Sequence, residues 1–236
     1  MENELGPELT DQHKSHGDHG SGVLTKISRP VEYLPGSNRL LYSQGRTLFF
    51  CSLDSMKEET VQFDSRIVGI AHKNSQEIFV ATEKGLYARN PSKDNHEFTI
   101  LAVTGLDQIL AGDRSLTFLK YHKKLNLLYL GVQDLLLSIT PETGTPNHLL
   151  DHEGIGISNF EWISSQEMLT ALNNGYIYRW HVDGEFRGAI QSSSSEVTQM
   201  QQFHAGGAQK GLVCCGSTLA VDMYLDFCHV ATFLLR

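Results

Sequence analysis

The stretch Glu167–Arg187, EMLTALNNGYIYRWHVDGEFR, decides the fold of this chain. An apolar segment, Glu167–Ala171, runs into Asn174–Gly175, and a second one, Tyr176–Val182, follows at once. Asn-Gly is the strongest short signal for a type I′ hairpin turn, because both central residues of that turn need positive φ. The aromatic and β-branched side chains beyond it favour strand. This stretch is expected to be a β-hairpin.

Working outward, the same arrangement recurs. Arg39–Ser43 and Thr47–Leu53 flank a turn at Gln44–Gly45, and Glu77–Ala81 and Leu86–Arg89 flank one at Lys84–Gly85. Asn126–Gly131 and Leu135–Thr140 flank Gln133–Asp134, and Gly211–Cys215 and Leu219–Leu225 flank Ser217–Thr218. Gly45 and Gly85 are expected to meet the same backbone need as Gly175, though less specifically. The turns at 45, 85, 134, 175 and 217 are spaced by 40, 49, 41 and 42 residues, the period of four-stranded propeller blades. An apolar inner strand precedes each hairpin: Val31–Leu34, Ile67–Ala71, Leu116–Tyr121, Ser158–Ile163 and Val197–Phe203. A more polar outer strand follows each one: Thr60–Phe63, Glu97–Leu101, His148–Leu150, Glu185–Ile190 and His229–Leu235. Apolar inside and polar outside is what radial packing of blades requires. The best helix candidate is the short segment Thr104–Leu110. The expectation is an all-β protein, a β-propeller of about five four-stranded blades over residues 23–236. A polar tail at 1–22, nearly free of apolar residues, is expected to be disordered.

The hairpin at Glu167–Arg187 resembles the second half of a WD repeat. Ala171, Asn174, Gly175, Ile177 and Trp180 fit the family's small residue, turn and strand-closing Trp in order. His181 stands where the family has Asp, and the Gly-His pair that opens many WD repeats is absent. The other four units keep only the spacing and the apolar pattern. The resemblance implies WD-like blades, and propellers of that family usually close with seven. Five blades leave three forms open: a small closed ring, an open or incomplete ring completed by a partner's strands, and a shortened form of a longer propeller. Val23–Ile27 is a candidate closing strand, although Cys228–Leu235 already reads as the last outer strand.

Composition narrows the function classes. The formal charge is −8, with 19 basic against 27 acidic residues, so no nucleic acid partner is expected. No apolar run is long enough to span a bilayer, and the N-terminus lacks the pattern of a secretory signal. Cys51, Cys214, Cys215 and Cys228 show no metal-type spacing and read as reduced thiols, with adjacent Cys214 and Cys215 on opposite strand faces. A cytoplasmic or nuclear location follows as the expectation.

Candidate chemistry is sparse. His13, His16 and His19 lie in the polar tail, and the run HLLDHE (His148, His152, Glu153) lacks the helix and the residue order of a metalloprotease site. There is no GxSxG elbow, and Ser192–Ser195 reads as a polar linker. Glu32 and Glu161 are the visible carboxylates of the inner strands, the places where a propeller hydrolase or lactonase would hold a divalent metal. Phe186–Arg187–Gly188 resembles the Phe-Arg-Arg-Gly element of phosphoinositide-binding propellers, but Glu185 stands before Phe186 and one arginine of the pair is missing. No catalytic residue, metal or cofactor is therefore expected. The expected function is a non-enzymatic protein-interaction scaffold, a subunit or adaptor in a nuclear, ubiquitin-ligase or trafficking assembly. Its partner-binding loops would include His72, Lys73, Asn74, Arg89, Tyr121, Lys123, Lys124 and His204, since rigid scaffolds display their recognition residues on loops. The metal-dependent hydrolase and the phosphoinositide-binding propeller are the alternatives.

Overall fold

A computed structural model describes residues 30–89, 97–111, 113–206, 209–218 and 220–234. The tail 1–22, the closing-strand candidate Val23–Ile27 and residues 90–95 of one candidate loop lie outside the described residues, as does the side chain of His148.

Among the described residues, twenty strands form five antiparallel sheets of four, each a meander in sequence order. Blade 1 holds β1 (Val31–Leu34), β2 (Arg39–Gln44), β3 (Thr47–Ser52) and β4 (Glu58–Gln62). Blade 2 holds β5 (Ile67–His72), β6 (Ile78–Thr82), β7 (Gly85–Arg89) and β8 (Phe98–Ile100). Blade 3 holds β9 (Leu116–His122), β10 (Leu127–Val132), β11 (Leu135–Thr140) and β12 (Thr145–Asp151). Blade 4 holds β13 (Ile157–Trp162), β14 (Glu167–Leu172), β15 (Tyr176–His181) and β16 (Phe186–Gln191). Blade 5 holds β17 (Val197–Gly206), β18 (Gln209–Gly216), β19 (Ala220–Leu225) and β20 (Cys228–Leu234). A one-turn helix, α1 (Leu106–Ile109), sits in the long connection from blade 2 to blade 3 and buries Leu106 in their shared core.

The hairpin turns show two departures from the expected geometry. At Asn174–Gly175 only the glycine has positive φ, +83°. The loop has three residues, with the Gly175 N–H donating to the Leu172 carbonyl at 3.0 Å, so the connection is a type I turn ended by a left-handed glycine and not the two-residue I′ turn. Gly45 does supply positive φ, +60°, whereas Gly85 does not and begins β7 instead. At Gly175 space is limiting as well: a Cβ there would lie 2.4 Å from the Ser194 carbonyl oxygen.

The core consists of sheet-on-sheet layers between neighbouring blades. Leu41, Leu48 and Phe50 of blade 1 pack on Ile67, Ile70, Ile78 and Val80 of blade 2. Comparable layers join blades 2 and 3, blades 3 and 4, and blades 4 and 5. In the last of these, Leu169, Ala171 and Ile177 meet Val197, Leu212, Cys214 and Tyr224. Each such fully buried Leu or Ile contributes about 1.5–3 kcal/mol. Among the described residues no core layer joins blade 5 to blade 1. The propeller is open.

Candidate functional site

Three places on this scaffold could carry function: the central channel, the rim and the end faces. The channel is a cavity of about 470 Å³ lined by residues from the innermost strands of all five blades. Both carboxylates singled out in the sequence are already partnered here. Glu161 Oε2 lies 2.9 Å from Lys120 Nζ on the neighbouring inner strand, and Glu32 Oε2 lies 3.3 Å from His72 Nδ1. Among the described residues no group of three or more His, Cys, Asp or Glu side chains is placed to hold a metal ion. His152, from the HLLDHE run, is buried against the rings of Tyr178 and Trp180, and burial lowers its pKa.

The rim gathers the candidate loops. Because every blade has four antiparallel strands, the first and third turns of each blade fall on the same rim. All eight candidate residues lie at such turns, but most are engaged in holding the turns together. Lys73 Nζ lies 3.4 Å from Glu77 and 3.5 Å from Glu142. Glu142 accepts from Asn126 at 2.9 Å, and Asn126 accepts from the Tyr121 hydroxyl at 2.6 Å, so this chain of contacts ties blade 2 to blade 3. Asn74 caps its own turn through the N–H groups of Gln76 and Glu77, and the Arg89 guanidinium donates to the Ser75 carbonyl. Lys123, Lys124 and His204 point into solvent. Further round the same rim, a cleft of about 600 Å³ between blades 4 and 5 is lined by Glu167, Arg179, His181, Arg187 and Lys210. Its arginines are paired: Arg179 with Glu167 at 2.6 Å and Arg187 with Glu185 at 2.7 Å. Glu185, the residue before Phe186, thus pairs with the one arginine present, and Phe186 packs on Tyr178 and Trp180.

The five motif residues come together in blade 4. Ala171 and Ile177 are opposite each other and fully buried. Trp180 donates from Nε1 to Thr170 Oγ1 at 2.9 Å, and Asn174 Oδ1 accepts from the Tyr176 N–H. His181, where the motif has Asp, lies 2.8 Å from Asp183. These residues build the blade and do not form a ligand site.

The end faces are the feature that sequence inspection missed. In the inner blades the second strand is buried on both sides: β6 completely, β10 and β14 apart from their first residue. In blade 5 the second strand, β18, alternates instead, with Leu212 and Cys214 buried and Val213 and Cys215 half-buried, and the third strand, β19, repeats the alternation. Ala220, Asp222 and Tyr224 are buried toward blade 4, while Val221, Met223 and Leu225 on the other face are only half-buried. Cross-strand rows Cys215–Val221–Phe233 and Val213–Met223–Ala231 extend that outer face across three strands, and it carries no charge in those rows. Blade 1 repeats the pattern in part: Leu41, Leu48 and Phe50 face blade 2, and Val31, Tyr33, Leu40 and Phe49 face the other way, where Glu58 ends the Tyr33–Leu40–Cys51 row. Val31, Tyr33 and Phe233 are about half exposed, at 54%, 47% and 54%. The signal available in the sequence was AVDMYL in β19, whose outward set Val221, Met223 and Leu225 is wholly apolar, like that of a strand with a neighbour there.

Asp222 anchors the blade 4–5 junction. It is buried, with its carboxylate accepting from the hydroxyls of Ser192, Ser193 and Thr232 and from the Ser193 N–H at 2.7–2.8 Å. Burial alone would raise its pKa, but these hydrogen bonds together outweigh that effect and lower it. The serines read as a linker are therefore a structured connection.

No family model matches the chain, and no curated protein matches it. Among solved structures it is similar to the Cps50 (Swd1) β-propeller domain of Myceliophteria thermophila. The TM-score is 0.65 at 10% identity, over 87% of this chain and 70% of that one. It is also similar to the extracellular domain of a protein described as a one-component system of B. thetaiotaomicron, with a TM-score of 0.62 at 15% identity, over 78% of this chain and 26% of that one. At these identities the likeness establishes the fold. With its five meander sheets and its four inter-blade layers, the chain is an open β-propeller of four-stranded blades.

Proposed function

We propose that this chain is a non-enzymatic protein-interaction scaffold, a subunit or adaptor of a multiprotein assembly in the cytoplasm or nucleus. The observation that carries this reading is the pair of largely apolar end faces on blades 1 and 5, which no core layer covers among the described residues. Contiguous exposed apolar surface on a soluble domain marks a place where another macromolecule binds. The partnered channel carboxylates and the Arg187–Glu185 pair add to it, because they occupy the groups that the hydrolase and phosphoinositide readings need. No helix among the described residues is long and apolar enough to cross a membrane. Which assembly the chain joins, nuclear, ubiquitin-ligase or trafficking, belongs to the identity of the partner.

The test is hydrodynamic. The tagged full-length chain, kept at its native abundance in a cell extract, is expected to sediment in a complex well above its own 26.3 kDa. Met223→Glu is expected to return it to the monomer position while leaving it folded. A native chain that sediments as a monomer would sink the proposal.

A further inference from the structure

We infer that the rim across blades 3, 4 and 5 carries a groove for an acidic, extended peptide segment of a partner protein, a surface separate from the two end faces. Two cavities meet there. One, of about 260 Å³, lies beside the turn of Lys123 and Lys124 and reaches Trp162, Ile163 and Gln202. The other is the cleft of about 600 Å³ between blades 4 and 5. Both are lined by Ser164 and Ser165 of the first turn of blade 4, so they form one run of surface across three blades.

The charge along this run is lopsided. Three cations, Arg179, Arg187 and Lys210, line the larger cleft against one carboxylate, Glu167. Glu167 is already held, since Arg179 donates to its Oε1 from both Nε and Nη2, at 3.1 and 2.6 Å. The nearby rim acids are held as well: Glu185 by Arg187, Asp183 by His181 and Asp226 by the Lys210 N–H. Among the described residues, Lys123, Lys124 and Lys210 have no carboxylate partner.

Lys123 and Lys124 project from an exposed turn, but Lys210 is half-buried. A charge drawn partly out of water without a counterion is costly, and an incoming carboxylate would offset that cost. Arg179 lines the same part of the cleft as Lys210. Its guanidinium lies over the Phe227 ring at 4.7 Å, and Phe227 holds a left-handed backbone, φ +67°, that a bulky residue rarely adopts. The fork on Glu167 uses two of the five N–H donors of Arg179 and leaves three for a ligand.

The spread of the cations selects the class of ligand. A phosphate group asks for donors that converge on one point, whereas Lys124, Arg179 and Lys210 stand on three different blades. Carboxylates repeated along an extended chain match cations set out in a row. Ile163 and Phe227, which line the cleft beside Arg179 and Lys210, suit an aliphatic side chain between those carboxylates.

The test is fluorescence anisotropy on the purified full-length chain, with a fluorescein-labelled decapeptide of Glu-Glu-Leu-Asp-Ser repeated twice, in about 50 mM salt. Binding with a Kd below about 100 μM is expected. Lys210→Glu should weaken it about tenfold or more, and the double change Lys123→Glu, Lys124→Glu about threefold or more. Lys84→Glu, the same charge change at an exposed turn on the opposite rim, should leave the Kd within about twofold. The peptide with Gln and Asn in place of Glu and Asp is expected not to bind. Should Lys210→Glu fail to fold by circular dichroism, the Lys123 and Lys124 pair on its exposed turn decides. No binding of the acidic peptide, equal binding of the neutral one, or equal losses from the groove variants and Lys84→Glu overturns the inference. Binding of vesicles carrying phosphatidylinositol phosphates but not of the peptide assigns the cations to a lipid headgroup and overturns it too. The assay needs no partner on the end faces, so its failure leaves the scaffold proposal standing.

Discussion

Neighbouring residues of β19 should differ sharply in their tolerance of charge. Tyr224 is 1% exposed, sits in the blade 4–5 core and donates from its hydroxyl to the Gln191 carbonyl at 3.1 Å. Tyr224→Glu removes that aromatic burial, which is worth about 3–5 kcal/mol, and puts a second carboxylate two residues from the buried Asp222. A total of about 5 kcal/mol or more is expected. Met223 points the other way, onto the half-buried outer face. Met223→Glu there acts as a surface substitution and should stay within about 0.5 kcal/mol. For a domain of this size 1 kcal/mol moves Tm by about 2–4 °C, so the pair should separate by about 10 °C or more. Thermal unfolding of the purified monomers, followed by near-ultraviolet circular dichroism, measures this directly. If Met223→Glu destabilises as much as Tyr224→Glu, the outer face is covered within the isolated chain, and the open ring is wrong.

Three further outcomes follow from the same structure. Asp222→Ala should cost about 3–5 kcal/mol in urea unfolding because it leaves the Ser193 N–H and three hydroxyls without their charged acceptor. Asp222→Asn should cost about 1–2 kcal/mol, since its carbonyl can keep the N–H while the hydroxyls rotate to accept from the amide. The buried His122 and His152 both have pKa values lowered by burial. The unfolded chain therefore binds more protons than the native one as pH falls below about 6.5, the unfolded histidine value, and stability should drop there and level off below the native values. His152→Phe should flatten part of that pH slope in Tm measurements, and an unchanged slope would show that His152 is not its source. Gly175→Ala should destabilise by at least about 2 kcal/mol, from the left-handed backbone together with the close Ser194 carbonyl; chemical denaturation within 0.5 kcal/mol of wild type would contradict this.

Much of the architecture was legible because a propeller repeats a local pattern. Strand period, turn chemistry and a spacing near 42 residues depend on neighbours in the chain, and they placed β1 at Val31–Leu34 and set the other nineteen strands within a few residues. What failed locally was turn type, because Asn174 was free to stay at negative φ once a third loop residue, Asn173, joined the connection. The site was much less legible. Loops such as Lys73–Asn74 and Tyr121 look available in sequence, yet their partners, Glu142 and Asn126, come from other turns and appear only in three dimensions. Glu32 and Glu161 looked like isolated carboxylates for the same reason: His72 and Lys120 reach them from adjacent blades. The apolar end faces went unread because the apolar set Val221, Met223 and Leu225 of β19 cannot itself say whether a neighbour covers it.

The two ends of the ring are not equivalent. The outer strand of blade 1, β4, carries Glu58 and Glu59, charges that discourage edge-to-edge pairing. The outer strand of blade 5, β20, reads CHVATFL, with no Asp, Glu, Lys or Arg and with Val230, Phe233 and Leu234 exposed. So blade 5 offers an incoming sheet both an apolar face and an unguarded edge, whereas blade 1 offers only the face. Backbone pairing along β20 would add directional hydrogen bonds to the apolar contact there.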